Sequence, residues 1–121
     1  MKFCLLIAVM FCSGMAMAQV APGSEFKTAY TKELTNFEAA AKAGKEMDAE
    51  HSYQALLQMQ QRHKKSLETS LKTAKDNDET TEITQRIEDE QNIIDRLKEL
   101  AVDMKANRQE MMEEFNSFIE E

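Results

Sequence analysis

Few side chains in this sequence are suited to chemistry, and their spacing limits what they can do. His51 and His63 are its two histidines, the residue type that changes charge near neutral pH without help from its surroundings. Asp48 and His51 stand one helical turn apart and would offer two ligands to a divalent ion. A di-metal helix bundle, however, draws four carboxylates and two histidines from four helices. Nothing else in the chain completes that set, so His51 reads as a solvated residue beside acidic neighbours and no metal ligand is expected. His63 falls on the flank of a helical core and reads as a packing or interface residue.

Lys64 and Glu90 occupy facing core positions and would form an acid–base pair if a pocket surrounded them. A two-helix ridge has no pocket, so the pair reads as a polar core layer that sets register and orientation. Ser, Thr and Asp residues are common, but none lies in a nucleophile elbow or a Gly-rich phosphate loop. No catalytic residue and no cofactor is expected, and the chain reads as non-enzymatic.

The element that must position these groups is a heptad unbroken over residues 80–118. Thr80, Ile87, Ile94, Ala101, Arg108 and Phe115 form its a series; Ile83, Glu90, Leu97, Met104, Met111 and Phe118 form its d series. The stretch contains neither Gly nor Pro, which predicts a long helix in need of a partner along its length. Upstream, Ser24 is a plausible N-cap with Glu25 beside it. Phe26, Tyr30, Phe37, Ala40, Gly44 and Met47 keep one heptad register; Tyr53, Leu57, Gln60, Lys64, Leu67, Leu71 and Ala74 keep a second, displaced by one residue. Two readings follow: a helix that runs through Gly44 with a one-residue skip, or a break there.

Folding the chain at Asp76-Asn77-Asp78 discriminates between them. Antiparallel layers then pair Leu71 with Ile83, Leu67 with Ile87, Gln60 with Ile94, Leu57 with Leu97 and Tyr53 with Ala101, and Lys64 falls opposite Glu90. Beyond the skip, Met47 meets Arg108, Gly44 meets Met111, Ala40 meets Phe115 and Phe37 meets Phe118, large residues opposite small ones. Charge agrees: residues 62–75 carry five basic side chains against Glu68, and residues 79–121 carry thirteen acidic against five basic. The expected fold is all-α, a long antiparallel helical hairpin with a coiled-coil core, arms over 24–75 and 79–121 and Gly44 as a packing residue. A three-helix bundle with a break near Gly44 is the alternative.

Residues 1–18 carry a charge at Lys2, a short apolar run and the tail Ala16-Met17-Ala18, the order of a cleaved signal peptide. Residues 19–23, with Pro22, read as an extended lead-in to a helical domain over 24–121. Export to the periplasm or the extracellular space is expected. Both cysteines, Cys4 and Cys12, belong to the leader, so the mature chain has no disulfide and must be stabilised by helix packing or self-association. Without Lys2 the 15 basic residues become 14 against 22 acidic, a net charge of −8. That balance argues against nucleic acid and against anionic membranes as partners.

A lone hairpin leaves apolar flanks open. One carries Leu56 and His63 beside Ile93 and Leu100; the other, nearer the open end, carries Met112 and Ile119. Two hairpins packed through the first flank would make a four-helix bundle, so homo-oligomers are expected. The functional expectation is an exported, non-enzymatic binding or scaffold protein acting by protein–protein contact, holdase-like or structural. An exchangeable lipid binder whose amphipathic helices open onto a surface is the alternative, weakened on anionic lipid by the Lys-free acidic segment 107–121.

Overall fold

The computed structural model describes residues 22–120. The leader expected over residues 1–18 lies outside the described residues. Among those described, the chain forms four α-helices and no strand: α1 (Ser24–Lys42), α2 (Glu46–Lys72), α3 (Asn77–Leu100) and, after a 3-10 turn at Ala101–Asp103, α4 (Arg108–Ile119). The all-helical class is as expected, but both expected arms are interrupted.

The first interruption is at Gly44. Lys45 N–H donates to Ala40 O at 2.9 Å and Gly44 N–H to Ala41 O at 3.3 Å, with Gly44 at φ +74°. This paired closure of a helix C-terminus requires a left-handed residue, which glycine adopts without the Cβ penalty. Gly44 is exposed and terminates α1; it does not pack an interface.

The second interruption, over residues 101–107, has no Gly and no Pro. Two short polar side chains make it. Asp103 Oδ1 accepts from Ala106 N–H at 3.2 Å, and Asn107 Nδ2 donates to Leu100 O at 2.9 Å. Asn and Asp compete with the helix ladder for backbone groups in this way, and here they turn the chain back. The α2–α3 turn also lies slightly earlier than expected, at residues 73–76. Asp76 is the N-cap of α3, accepting from Glu79 N–H at 2.7 Å, while Glu79 Oε1 accepts from Lys75 N–H at 3.0 Å.

With both arms folded back, neighbouring helices run antiparallel in an up-down-up-down bundle. Phe26 lies against His63 across α1 and α2, with ring centroids 5.4 Å apart. Arg96 pairs with Glu110 at 3.0 Å across α3 and α4. α1 also reaches α4, where Phe37 meets Phe115 edge-on at 5.3 Å and Phe118 stacks on Tyr30 at 5.7 Å. Phe37 was expected opposite Phe118; folding both arms shifts the register so that Phe115 takes that place.

Leu56 and Leu100 are now in the central core, sharing it with Phe37, Leu97 and Met111. The reason is apolar area. Each buried Leu or Ile contributes roughly 1.5–3 kcal/mol, and the chain covers the flank with its own outer helices. Leu67 and Ile83 are buried separately, where α2 and α3 run on past the start of α1 and the end of α4.

Gly44→Ala separates a broken arm from a continuous one by sign. At a left-handed position Ala costs about 1–2 kcal/mol, and no neighbouring atom would clash with the new methyl group. The urea midpoint is therefore expected to fall. In a helix running through residue 44 the same change would stabilise by about 1 kcal/mol, and a raised midpoint would refute the break.

Candidate functional site

The polar groups best placed for a function lie inside the bundle, on all four helices. Glu90, on α3, has a fully buried side chain. Its Oε2 accepts from Arg86 Nε at 2.7 Å, one turn earlier on the same helix, and lies 2.6 Å from His63 Nδ1 on α2. A carboxylate oxygen can only accept, so the His63 contact is a hydrogen bond in the tautomer that carries the proton on Nδ1. Arg86 also donates from Nη2 to Phe118 O at 2.6 Å, and its guanidinium sits 5.4 Å from the Phe118 ring centroid. It thereby satisfies the Phe118 carbonyl at the end of α4, beyond the Asn116 and Ser117 carbonyls that accept from Glu120 N–H. Phe26 and Phe118 close over His63, with centroids 5.4 and 5.8 Å away.

A second group of bonds continues the layer one turn away. Gln60 Nε2, on α2, donates to Tyr30 Oη on α1 at 2.9 Å, and Tyr30 Oη donates to Phe115 O on α4 at 2.8 Å. Burial raises the Tyr30 phenol well above its ordinary pKa, with the Gln60 bond partly opposing the shift. Tyr53 is raised too, by burial and then by the charge of Glu50. Two acceptors of the layer, Gln60 Oε1 and Glu90 Oε1, have no donor among the described residues. Tyr30 spends its hydroxyl proton on Phe115 O, so Gln60 presents its amide nitrogen and its oxygen is left buried without a donor among the described residues.

The sequence-derived positions are distributed as follows. Glu90 is in the polar layer, but its partner is not Lys64. Lys64 is half-buried and pairs with exposed Glu68 at 3.3 Å, within α2. Adjacent residues on a helix point about 100° apart, and the rotation of α2 that buries Leu56 and Gln60 brings His63 to Glu90. Ile93, Met112 and Ile119 are half-buried and packed against the core. Asp48 and His51 are exposed on the outside of α2. Arg86 and Tyr30 were not singled out as site residues from sequence. The signal for Arg86 was its four-residue spacing from Glu90.

The arrangement is suited to holding helices together: its groups bond to one another and to carbonyls near the end of α4, and the aromatic rings exclude water. Fold and layer define a class, an all-helical four-helix bundle organised around a buried ionic and aromatic layer. Comparison of the chain with protein-family models, curated proteins and solved structures gave no match.

Glu90→Leu is expected to cost about 3–5 kcal/mol, because it strands the guanidinium of Arg86 inside the bundle. Lys64→Leu is expected to change stability by no more than about 0.5 kcal/mol. In denaturation cycles Glu90 should couple to His63 and not to Lys64; coupling to Lys64 would contradict the layer. A second prediction concerns Tyr30. Its folded pKa is raised, so its contribution is complete below the unfolded value of 10.0 and declines as pH rises past it. Above that pH the unfolded chain releases a proton that the folded chain keeps. The wild type should lose stability more steeply than Tyr30→Phe, by up to about 1.4 kcal/mol per pH unit, and parallel pH profiles would disprove the assignment.

Proposed function

We propose that the protein is an exported, non-enzymatic helical bundle that acts by contact with other proteins, as a scaffold or a holdase. The observation that carries this reading is the placement of its chemically capable groups. Glu90 has no exposed side-chain surface and that of His63 is 11 % exposed, and both are engaged in joining helices. The outer surface is what remains to act. It belongs to a chain of net charge −7, and its large exposed apolar side chains, Met47 and Val102, are 87 % and 88 % exposed. Both stand at the end of the bundle where α1 turns into α2 and α3 into α4. Methionine is adaptable in shape and polarizable, properties that suit contact with more than one partner.

Self-association enters the proposal in altered form. Leu56 and Leu100 serve the chain's own core, so a second copy would dock on the half-buried Ile93, Met112 and Ile119. The exchangeable lipid binder requires more: α1 and α4 would have to leave the bundle and break the bonds from Tyr30 and Arg86.

The contact reading is tested by light scattering of a client enzyme unfolding on heating. The mature protein in molar excess should slow its aggregation, and a Met47→Glu, Val102→Glu variant with unchanged helical circular dichroism should lose that effect. No protection by the wild type rejects the holdase form, and flotation with phosphatidylcholine vesicles would favour the lipid binder. Leu100→Lys, at a core position, is expected to abolish the cooperative thermal transition; a folded monomer would instead place Leu100 at an interface between copies.

A further inference from the structure

The two chain reversals at one end of the bundle are built differently. At Gly44 the backbone is left-handed, with φ +74°, and the bonds from Gly44 and Lys45 close α1. That helix stops for a reason held in its backbone. Between α3 and α4 the backbone stays close to a helix. Leu100 (φ −66°, ψ −31°), Ala101 (φ −68°, ψ −13°) and Met104 (φ −61°, ψ −36°) keep right-handed helical angles. Asn107 N–H donates to Asp103 O at 3.0 Å, the four-residue spacing of an α-helix. Asn107 itself, at φ −104° and ψ 15°, departs from those angles.

The sequence of this hinge also favours a helix. Residues 101–107 contain neither Gly nor Pro, and Ala101 and Met104 stand at a and d positions in step with Leu97 and Met111. Two side chains hold the turn. Asp103 Oδ1 takes the Ala106 N–H at 3.2 Å, and Asn107 Nδ2 reaches Leu100 O at 2.9 Å. Both bonds occupy backbone groups that a continuous helix would pair within its own ladder, Ala106 N–H with Val102 O and Leu100 O with Met104 N–H.

Beyond the hinge, α4 is anchored to α1 and α3. Tyr30 donates to Phe115 O, Arg86 donates to Phe118 O, Phe37 meets Phe115, and Arg96 pairs with Glu110. A second copy of the chain offers α4 the same partners in the same geometry.

We infer that the chain has a second, dimeric state in which α3 and α4 run on as one helix over residues 77–119 and each α4 packs into the bundle of the other copy. Exchange of an identical element keeps the contacts that α4 makes, so the contacts of the two states differ at the hinge. In the dimer the hinge backbone enters the helix ladder, and Ala101 and Met104, half-buried in the single chain, meet their counterparts across the two-fold axis. The reversal at Gly44 takes no part. This interface is distinct from a second copy lying alongside a closed bundle at Ile93, Met112 and Ile119, and it stands whether or not the protein protects clients.

The test uses the mature protein, which has no cysteine because both precede residue 19. Arg96→Cys with Glu110→Cys puts thiols at two exposed positions that face each other across α3 and α4. After refolding from urea at high protein concentration, the dimer is isolated by gel filtration and bridged with a short bis-maleimide. A swapped dimer should run as a covalent dimer on a denaturing gel, whereas copies docked side by side would be linked only within each chain. In sedimentation equilibrium on refolded chains without the thiols, Asp103→Ala with Asn107→Ala should raise the association constant by about tenfold or more. Lys105→Gly with Ala106→Gly, which disfavours a continuous helix, should lower it. Should the alanine pair lack the cooperative thermal transition, the wild type and the glycine pair carry the comparison. Absence of a dimer from the wild type and the alanine pair alike, cross-links only within chains, or association unchanged by the glycine pair would overturn the inference.

Discussion

A carboxylate removed from water must be met by donors, and in this bundle meeting the needs of Glu90 draws in the rest of the structure. Arg86 and His63 converge on one of its oxygens from α3 and α2. Arg86 then carries the connection to α4 through Phe118 O, and Phe26 of α1 closes over His63. Tyr30 and Gln60 repeat the device one turn along, tying α1 and α2 to Phe115 O. A purely apolar core would tolerate sliding of one helix past another. Buried polar groups that find partners at only one register do not.

The second constraint is area. Leu56, Leu97, Leu100 and Ile94 cover more of the faces of α2 and α3 than a two-helix seam can bury. A chain in this position either recruits a second copy or folds back on itself. Here the ends of both arms return, and Phe37, Met111, Phe115 and Phe118 fill the space over that flank. The aromatic side chains are concentrated in α1 and α4 because those helices supply the cover, and large flat residues bury the most surface per position.

These two constraints also separate structural chemistry from surface chemistry. The layer around Glu90 is closed by rings and committed to bonds between helices, which is why a reading by contact is favoured over one by catalysis. The reversal end is the opposite: two turns meet there without a polar layer shared among the described residues, and small side chains leave a cavity.

Much of the architecture was legible in the residues. Of the d series, Ile83, Glu90, Leu97, Met111 and Phe118 are buried and Met104 is half-buried, because a period of three and four reports which face of a helix is apolar. Glu90 stood out as a charged residue on that face, and the antiparallel pairing of α2 with α3 was read from the facing a and d positions and the charges of the two arms. Gly44 was visible as a point of decision, but a mid-helix glycine costs only about 1 kcal/mol, so its identity alone does not choose between a helix and a turn. Asp103 and Asn107 carried a weaker signal still, since each is tolerated on an exposed helix face. Periodicity says that a face must be covered; it does not say by what. Whether Leu56 and Leu100 met a second copy or α1 and α4, and whether Lys64 or His63 turned toward Glu90, depended on helix rotations and chain reversals that only the packed structure decides, because they are settled by the summed burial of all four helices rather than by any local preference.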